Sequence, residues 1–222
     1  MIRFMVTALL ALIFVQTSVS LTPSDDVWIY EHASDPAGDP FLRIWGASGK
    51  PVSDDPADTG QFSYGYLRWN LTTVPSNSKI TGAKLIVKQV ADPGYSSEDA
   101  KACPLEARAL EGMFDEKSWT FSLAAKVYPK SGAEALYGSG YPQLISKDQR
   151  AVPITIDLMG PKSSFGSAIS AALASGTPTL CIALTSKIDP STSGRTAVYK
   201  VYSKDAELAE NRPVLSLTFE PK

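Results

Sequence analysis

The chain has 222 residues, 44% of them apolar and 20% charged, with a formal net charge of -2 and a single histidine. The apolar share suffices for a packed core and excludes a disordered chain, while the absence of a basic excess excludes a general nucleic-acid binder. One imidazole excludes sites built from several, such as His-rich metal centres. At roughly 100–200 residues per domain, one domain or two small ones is expected.

Met1–Ser20 carries one cation, Arg3, then an apolar run to Val15, and ends Thr17-Ser18-Val19-Ser20. A run of about ten apolar residues is short for a bilayer span, and small residues at its end suit a signal peptidase. The segment reads as a cleaved secretory leader, residues 1–20. The remaining 21–222 are expected to form one secreted, extracellular domain with no membrane span, monomeric, with net charge -3 once Arg3 is removed. Export makes Cys103 and Cys181 candidates for a disulfide; the alternative is that each is a small buried hydrophobe, as Leu180-Cys181-Ile182 suggests. Asn70-Leu71-Thr72 fits an N-glycosylation acceptor.

Period-two alternation dominates the rest. Strands are expected at 41–45, 64–71, 80–90, 105–110, 154–158, 179–184, 197–202 and 214–219, separated by turns rich in Pro, Gly, Asn and Ser. One helix is expected over 163–173, where Phe165, Ile169 and Leu173 recur at four-residue spacing. Residues 47–62 and 128–150 read as long loops. Many short strands with one short helix suggest an all-β sandwich of jelly-roll type.

Tyr66-Leu67-Arg68-Trp69-Asn70-Leu71, then Val74-Pro75, then Ile80–Leu85 resemble the signature stretch of DNRLRE domains, also classed as carbohydrate-binding module family 96. Phe114–Phe121, Ile154–Leu158, Leu180–Ser186 and Tyr202–Asp205 with Asn211–Phe219 resemble further blocks of that family in the same order, over roughly residues 25–220. Phe114 and Asp205 stand where the family has Trp and Glu, and the loops at 47–62 and 128–150 are longer. The resemblance implies a jelly-roll (galactose-binding-like) β-sandwich in a secreted protein, often attached to polysaccharide-active enzymes, and binding of acidic polysaccharides such as alginate.

Alternation gives that implication candidate residues. With Leu67, Trp69 and Leu71 directed inward, Tyr66 and Arg68 lie on the opposite face, as Arg43 and Trp45 do against Leu42 and Ile44, and Lys84 and Lys88 against Leu85 and Val87. An Arg fork matches a uronate carboxylate, Lys adds charge, and aromatic rings offer a surface for a pyranose. Arg43, Trp45, Tyr66, Arg68, Lys84 and Lys88 are therefore expected to form a basic, aromatic strip for an anionic polysaccharide. The alternative is a secreted structural or adhesion protein of the same fold without glycan binding.

Asp25, Asp26, Asp35, Asp39, Asp54, Asp55 and Asp58 make the N-terminal third rich in carboxylates. A structural Ca²⁺ is a candidate there, although no EF-hand spacing is present and solvated loop acids are the plainer reading. No other cofactor is expected. An enzyme is not expected: Asp115 and Glu116 are adjacent and would point apart on a strand, and no arrangement of His32 with tyrosines suggests a lyase base.

Overall fold

The computed structural model describes residues 16–30, 33–34, 38–49, 62–90, 93–143 and 150–221. The strands are β1 (Thr17–Leu21), β2 (Asp25–Tyr30), β3 (Ala33–Ser34), β4 (Phe41–Ile44), β5 (Ser63–Asn70), β6 (Ser78–Val90), β7 (Leu105–Glu111), β8 (Tyr128–Pro129), β9 (Leu136–Gly140), β10 (Ala151–Asp157), β11 (Thr179–Thr185), β12 (Tyr199–Tyr202) and β13 (Val214–Pro221). The helices are α1 (Ser97–Ala102), α2 (Phe121–Ala124), α3 (Phe165–Ala174) and α4 (Pro190–Ser193). All-β architecture is thus observed, with α3 close to the expected helix and three shorter helices beside it.

Two antiparallel sheets carry the fold. A six-stranded sheet runs β1-β13-β6-β12-β4, with β10 on the other edge of β6. A seven-stranded sheet runs β3-β2-β5-β11-β7-β8, with β9 also paired to β7. The thirteen-residue β6 organises the first sheet: Ile80, Ala83, Leu85, Val87 and Gln89 are buried, while Lys79, Thr81 and Lys84 are exposed. This is the pattern of a strand with one wet face. The inward row Val152–Gln89–Val201–Leu42 crosses four strands in register.

The main core lies between the sheets. Leu42, Ile44, Leu85, Val87, Ile154, Leu215 and Leu217 come from one side, and Leu67, Trp69, Leu105, Ile182 and Leu184 from the other. Helix α3 joins them through Phe165, Ile169 and Leu173, one turn apart on a single face. The seven-stranded sheet is buried on its other face too. There Val27, Ile29, Tyr64, Tyr66 and Ala183 form a second cluster with Phe114, Ala124 and Val127. The segment from Gly112 to Val127 therefore covers that sheet like a flap.

One expected strand ends at a corner. Trp45, placed in the 41–45 strand by its alternation, exchanges backbone hydrogen bonds with Ser63 at 3.0 and 2.9 Å, so the chain passes there from the first sheet to the second. The expected loop at 128–150 contains β8 and β9, whereas 50–61 and 144–149 lie outside the described residues. Thr17–Ser20, which the leader reading places within residues 1–20, form part of β1 and pair with β13. Residues 1–15 lie outside the described residues.

Strand β9 closes one side of the molecule by running against β10. A Cβ on Gly138 would collide with the Asp157 carbonyl, and one on Gly140 would sit 2.5 Å from the Thr155 carbonyl oxygen. Glycine is required because backbone, not a movable side chain, occupies the space. Gly138→Val or Gly140→Val is expected to lower unfolding stability by about 2–4 kcal/mol. Urea denaturation checks this; a midpoint unchanged in either variant would show that β9 and β10 do not meet in this way.

Candidate functional site

Three of the six strip residues share the outer face of the six-stranded sheet. Lys84 and Lys88 lie on β6 and Arg43 on β4, all directed away from the main core. Strand β12 joins them: Lys200 is paired across to Arg43 and Tyr202 to Phe41, all four half-buried and alternating with the buried Tyr199 and Val201. Antiparallel extension of the Val201–Gln89 pair sets Tyr202 beside Lys88. The Phe41 and Tyr202 rings meet at a tilt of 50° with centroids 5.4 Å apart, and the Lys200 ammonium lies 4.2 Å from the Phe41 ring centre. One face thus presents three cations around an aromatic pair, with Lys84 further along β6.

The electrostatics of these cations differ. Arg43 donates to Asp39 at 2.6 Å and lies 4.7 Å over the Trp28 ring. Burial works against the Asp39 charge, yet hydrogen bonds from Arg43, the Phe41 N–H and Trp28 hold its carboxyl below the usual range. Lys88 is 3.5 Å from the Asn211 side-chain oxygen. Among the described residues, neither Lys84 nor Lys200 has a carboxylate oxygen within 4 Å. Asp157 faces Lys84 in register from β10, and both are exposed.

The remaining three strip residues are elsewhere. Trp45 packs against the main core at the corner between sheets. Tyr66 and Arg68 do point away from Leu67 and Trp69, as alternation requires, but they belong to the other sheet, and its outer face is covered. Tyr66 is fully buried against Phe114 and Trp119, with ring centroids 6.0 and 5.6 Å away. Arg68 is held by Asp25 at 2.6 Å and donates to the Phe114 carbonyl at 2.7 Å. The six residues therefore do not form one strip. Phe41, Lys200 and Tyr202, absent from the expected set, complete the face; the alternation Tyr199-Lys200-Val201-Tyr202 within an expected strand was the signal for two of them.

The expected disulfide is replaced by two free thiols. Cys103 packs against the main core between the sheets, whereas Cys181 lies on the outer face of the seven-stranded sheet, 3.8 Å from the Met113 sulfur. The β11 backbone separates the two positions, so the second expectation, a pair of small hydrophobes, describes them. Burial pushes the Cys181 thiol up to about 11, which keeps it protonated and unreactive.

A carboxylate cluster fastens the flap. Asp26, Glu116 and Asp205 bring oxygens within 4.8 Å of one another. The Lys204 ammonium joins Glu116 at 3.0 Å and Asp205 at 2.9 Å, while Asp26 accepts from the Lys204 N–H at 2.6 Å and gives its own N–H to Glu116 at 3.1 Å. A divalent cation could take oxygens from these three carboxylates, but Lys204 competes for the same atoms, and Ca²⁺ needs six to eight ligands. Of the other acids considered for Ca²⁺, Asp25 pairs with Arg68 and Asp39 with Arg43, and Asp35, Asp54, Asp55 and Asp58 lie outside the described residues. Glu116 is committed to this cluster and Asp115 caps the Lys117 N–H at 3.0 Å, so the two acids serve separate local contacts.

No family model matches the chain, and no curated protein matches it in sequence.

Two outcomes follow from the buried groups. Burial outweighs the Lys204 contacts and pushes Asp26 up to about 7, against about 3.9 in an unfolded chain. The folded protein then binds more protons between about pH 4 and 7, so this group's contribution to stability falls as pH rises through that window. Asp26→Asn, which keeps an acceptor for the Lys204 N–H, is expected to be more stable than the parent by about 1–3 kcal/mol at pH 8, the difference shrinking toward pH 4. Denaturation at several pH values checks this; a destabilised variant at pH 8 would overturn it. The Tyr66 hydroxyl has no hydrogen-bond partner among the described residues. Tyr66→Phe is expected to change stability by less than about 1 kcal/mol, and Tyr66→Ala to cost about 3–5 kcal/mol, measured by thermal melting.

Proposed function

We propose that the protein is a secreted, non-catalytic module that binds an acidic polysaccharide on the outer face of the six-stranded sheet. The observation that carries this reading is the grouping of Lys88, Lys200 and Arg43 around the paired rings of Phe41 and Tyr202, with Lys84 further along β6. Ammonium and guanidinium groups on a ridged sheet face suit carboxylates repeated along a polymer, and the half-exposed rings suit the apolar face of a sugar. A chain of net negative charge would hold such a polymer through this local excess of cations. The resemblance of Tyr66–Leu85 and the later blocks to family 96 carbohydrate-binding modules supports the same reading. With it goes the finer description of the two sheets as a jelly-roll sandwich.

Affinity electrophoresis in alginate, pectin and cellulose gels tests the proposal. Retention is expected in the uronate gels only and is expected to weaken with salt. Lys88→Gln and Lys200→Gln are each expected to lose about 2–5-fold in affinity, the scale of one solvent-exposed ion pair, and Lys84→Gln somewhat less. Lys117→Gln, in the segment that covers the seven-stranded sheet, serves as the control. Unchanged retention of the triple lysine variant, or no retention of the parent chain by either uronate, would overturn the reading.

A further inference from the structure

Strand β9 lies at an edge of the seven-stranded sheet: it pairs with β7, and its second edge pairs with no strand among the described residues. A cleft of about 710 Å³ opens beside it, toward the turn that leads into α3. Glu134, Leu136, Tyr137 and Ser139 line it from the β9 segment, and Pro161 and Lys162 from the turn. A second cleft of about 580 Å³ shares Glu134 and Tyr137 with the first and reaches Ser164 and Ser167 at the start of α3. Clefts of this size suit small ligands. Their walls are held by internal hydrogen bonds. Ser163 donates to the Leu158 carbonyl at 2.6 Å and accepts from the Phe165 N–H at 3.1 Å, and Ser164 donates to the Glu134 carbonyl at 2.8 Å.

Tyr137 is the feature the two clefts have in common that packing alone does not explain. It is 6% exposed, and its ring meets Phe165 edge-on with centroids 5.2 Å apart. Its hydroxyl nevertheless has no hydrogen-bond partner among the described residues. Burial pushes the phenol above its usual range, so the group stays a donor at neutral pH. A largely buried hydroxyl is costly unless something receives its proton, and a ligand lying in the clefts supplies the acceptor.

The lining selects the class of ligand. Leu136, Pro161 and the Tyr137 ring are apolar, while the hydroxyls of Tyr137, Ser139 and Ser167 form no hydrogen bond among the described residues. Glu134 and Lys162 are exposed and set one negative and one positive charge on the lining, and among the described residues neither forms an ion pair. A charged ligand gains from one of them and is repelled by the other, so the pair favours a neutral molecule. A pyranose answers this description: it is uncharged, apolar on its C–H faces and ringed with hydroxyls. We propose that the paired clefts bind a short uncharged saccharide, with the Tyr137 hydroxyl donating to one of its oxygens. The site shares no residue with the cation face and does not depend on the acidic-polysaccharide reading.

Amide NMR titration of the full chain with cellobiose, mannobiose and chitobiose tests this, each sugar taken to about 20 mM so that millimolar affinities are reached. At least one sugar is expected to shift amides within 134–139 and 162–168 saturably, and to leave those of Lys84, Lys88 and Lys200 in place. Tyr137→Phe keeps the ring and is expected to weaken that sugar about 2–10-fold, the worth of one hydrogen bond, without lowering the melting temperature. Ser139→Trp, at an exposed position, fills the first cleft and is expected to abolish the shifts. Should that variant fail to fold, Tyr137→Phe decides alone. No saturable shift with any of the three sugars overturns the proposal, as does an affinity that Tyr137→Phe leaves unchanged. Digalacturonate shifting the same amides more strongly than the neutral sugars overturns the uncharged class. Retention of the lysine variants on uronate gels reports separately on the cation face.

Discussion

The seal that Phe114 and Trp119 place over Tyr66 decides which surfaces of this protein are free. Those rings lie within about 6 Å of one another, and the burial of large aromatic side chains is among the strongest packing contributions available to a single residue. The contact covers the outer face of the seven-stranded sheet. Strands β5 and β11 are consequently apolar on both sides, and Arg68, which alternation directs outward, meets Asp25 and a flap carbonyl instead of solvent. The six-stranded sheet keeps the open face, and the cations grouped around Phe41 and Tyr202 stand on it.

Two charged networks hold the segments that hydrophobic contact alone leaves loose. Lys204 with Asp26, Glu116 and Asp205 ties the flap and the turn after β12 to the start of β2. Toward the other edge of the seven-stranded sheet, Arg108 binds Glu106 at 2.7 Å, the Ser48 hydroxyl at 2.8 Å and the Gly132 carbonyl at 2.9 Å, while Glu106 accepts from Thr185 at 3.1 Å. Buried ion pairs of this kind recover their desolvation cost only when every lone pair and proton finds a partner. They contribute less to net stability than to fixing which loop lies where. The elevated Asp26 pKa marks the point where compensation is least complete.

The strands that the sequence made legible are those with one wet and one dry face. β10 and β13 alternate cleanly, β6 does so on either side of an irregularity at Thr81–Gly82, and their limits fall within a few residues of those expected from pattern alone. The helix α3 was legible for the same reason, its three apolar residues falling on one face. Alternation states that Tyr66 lies opposite Leu67; it cannot state that Phe114 and Trp119, much later in the chain, will cover it. The failure of the strip at Tyr66 and Arg68 is a failure of tertiary context, as is that of Trp45, whose strand turns a corner. β9 was illegible because its Gly138 and Gly140 read as loop, whereas they are the residues that let two backbones approach. β1 was hidden by a different competition: a leader and an edge strand both consist of small and apolar residues.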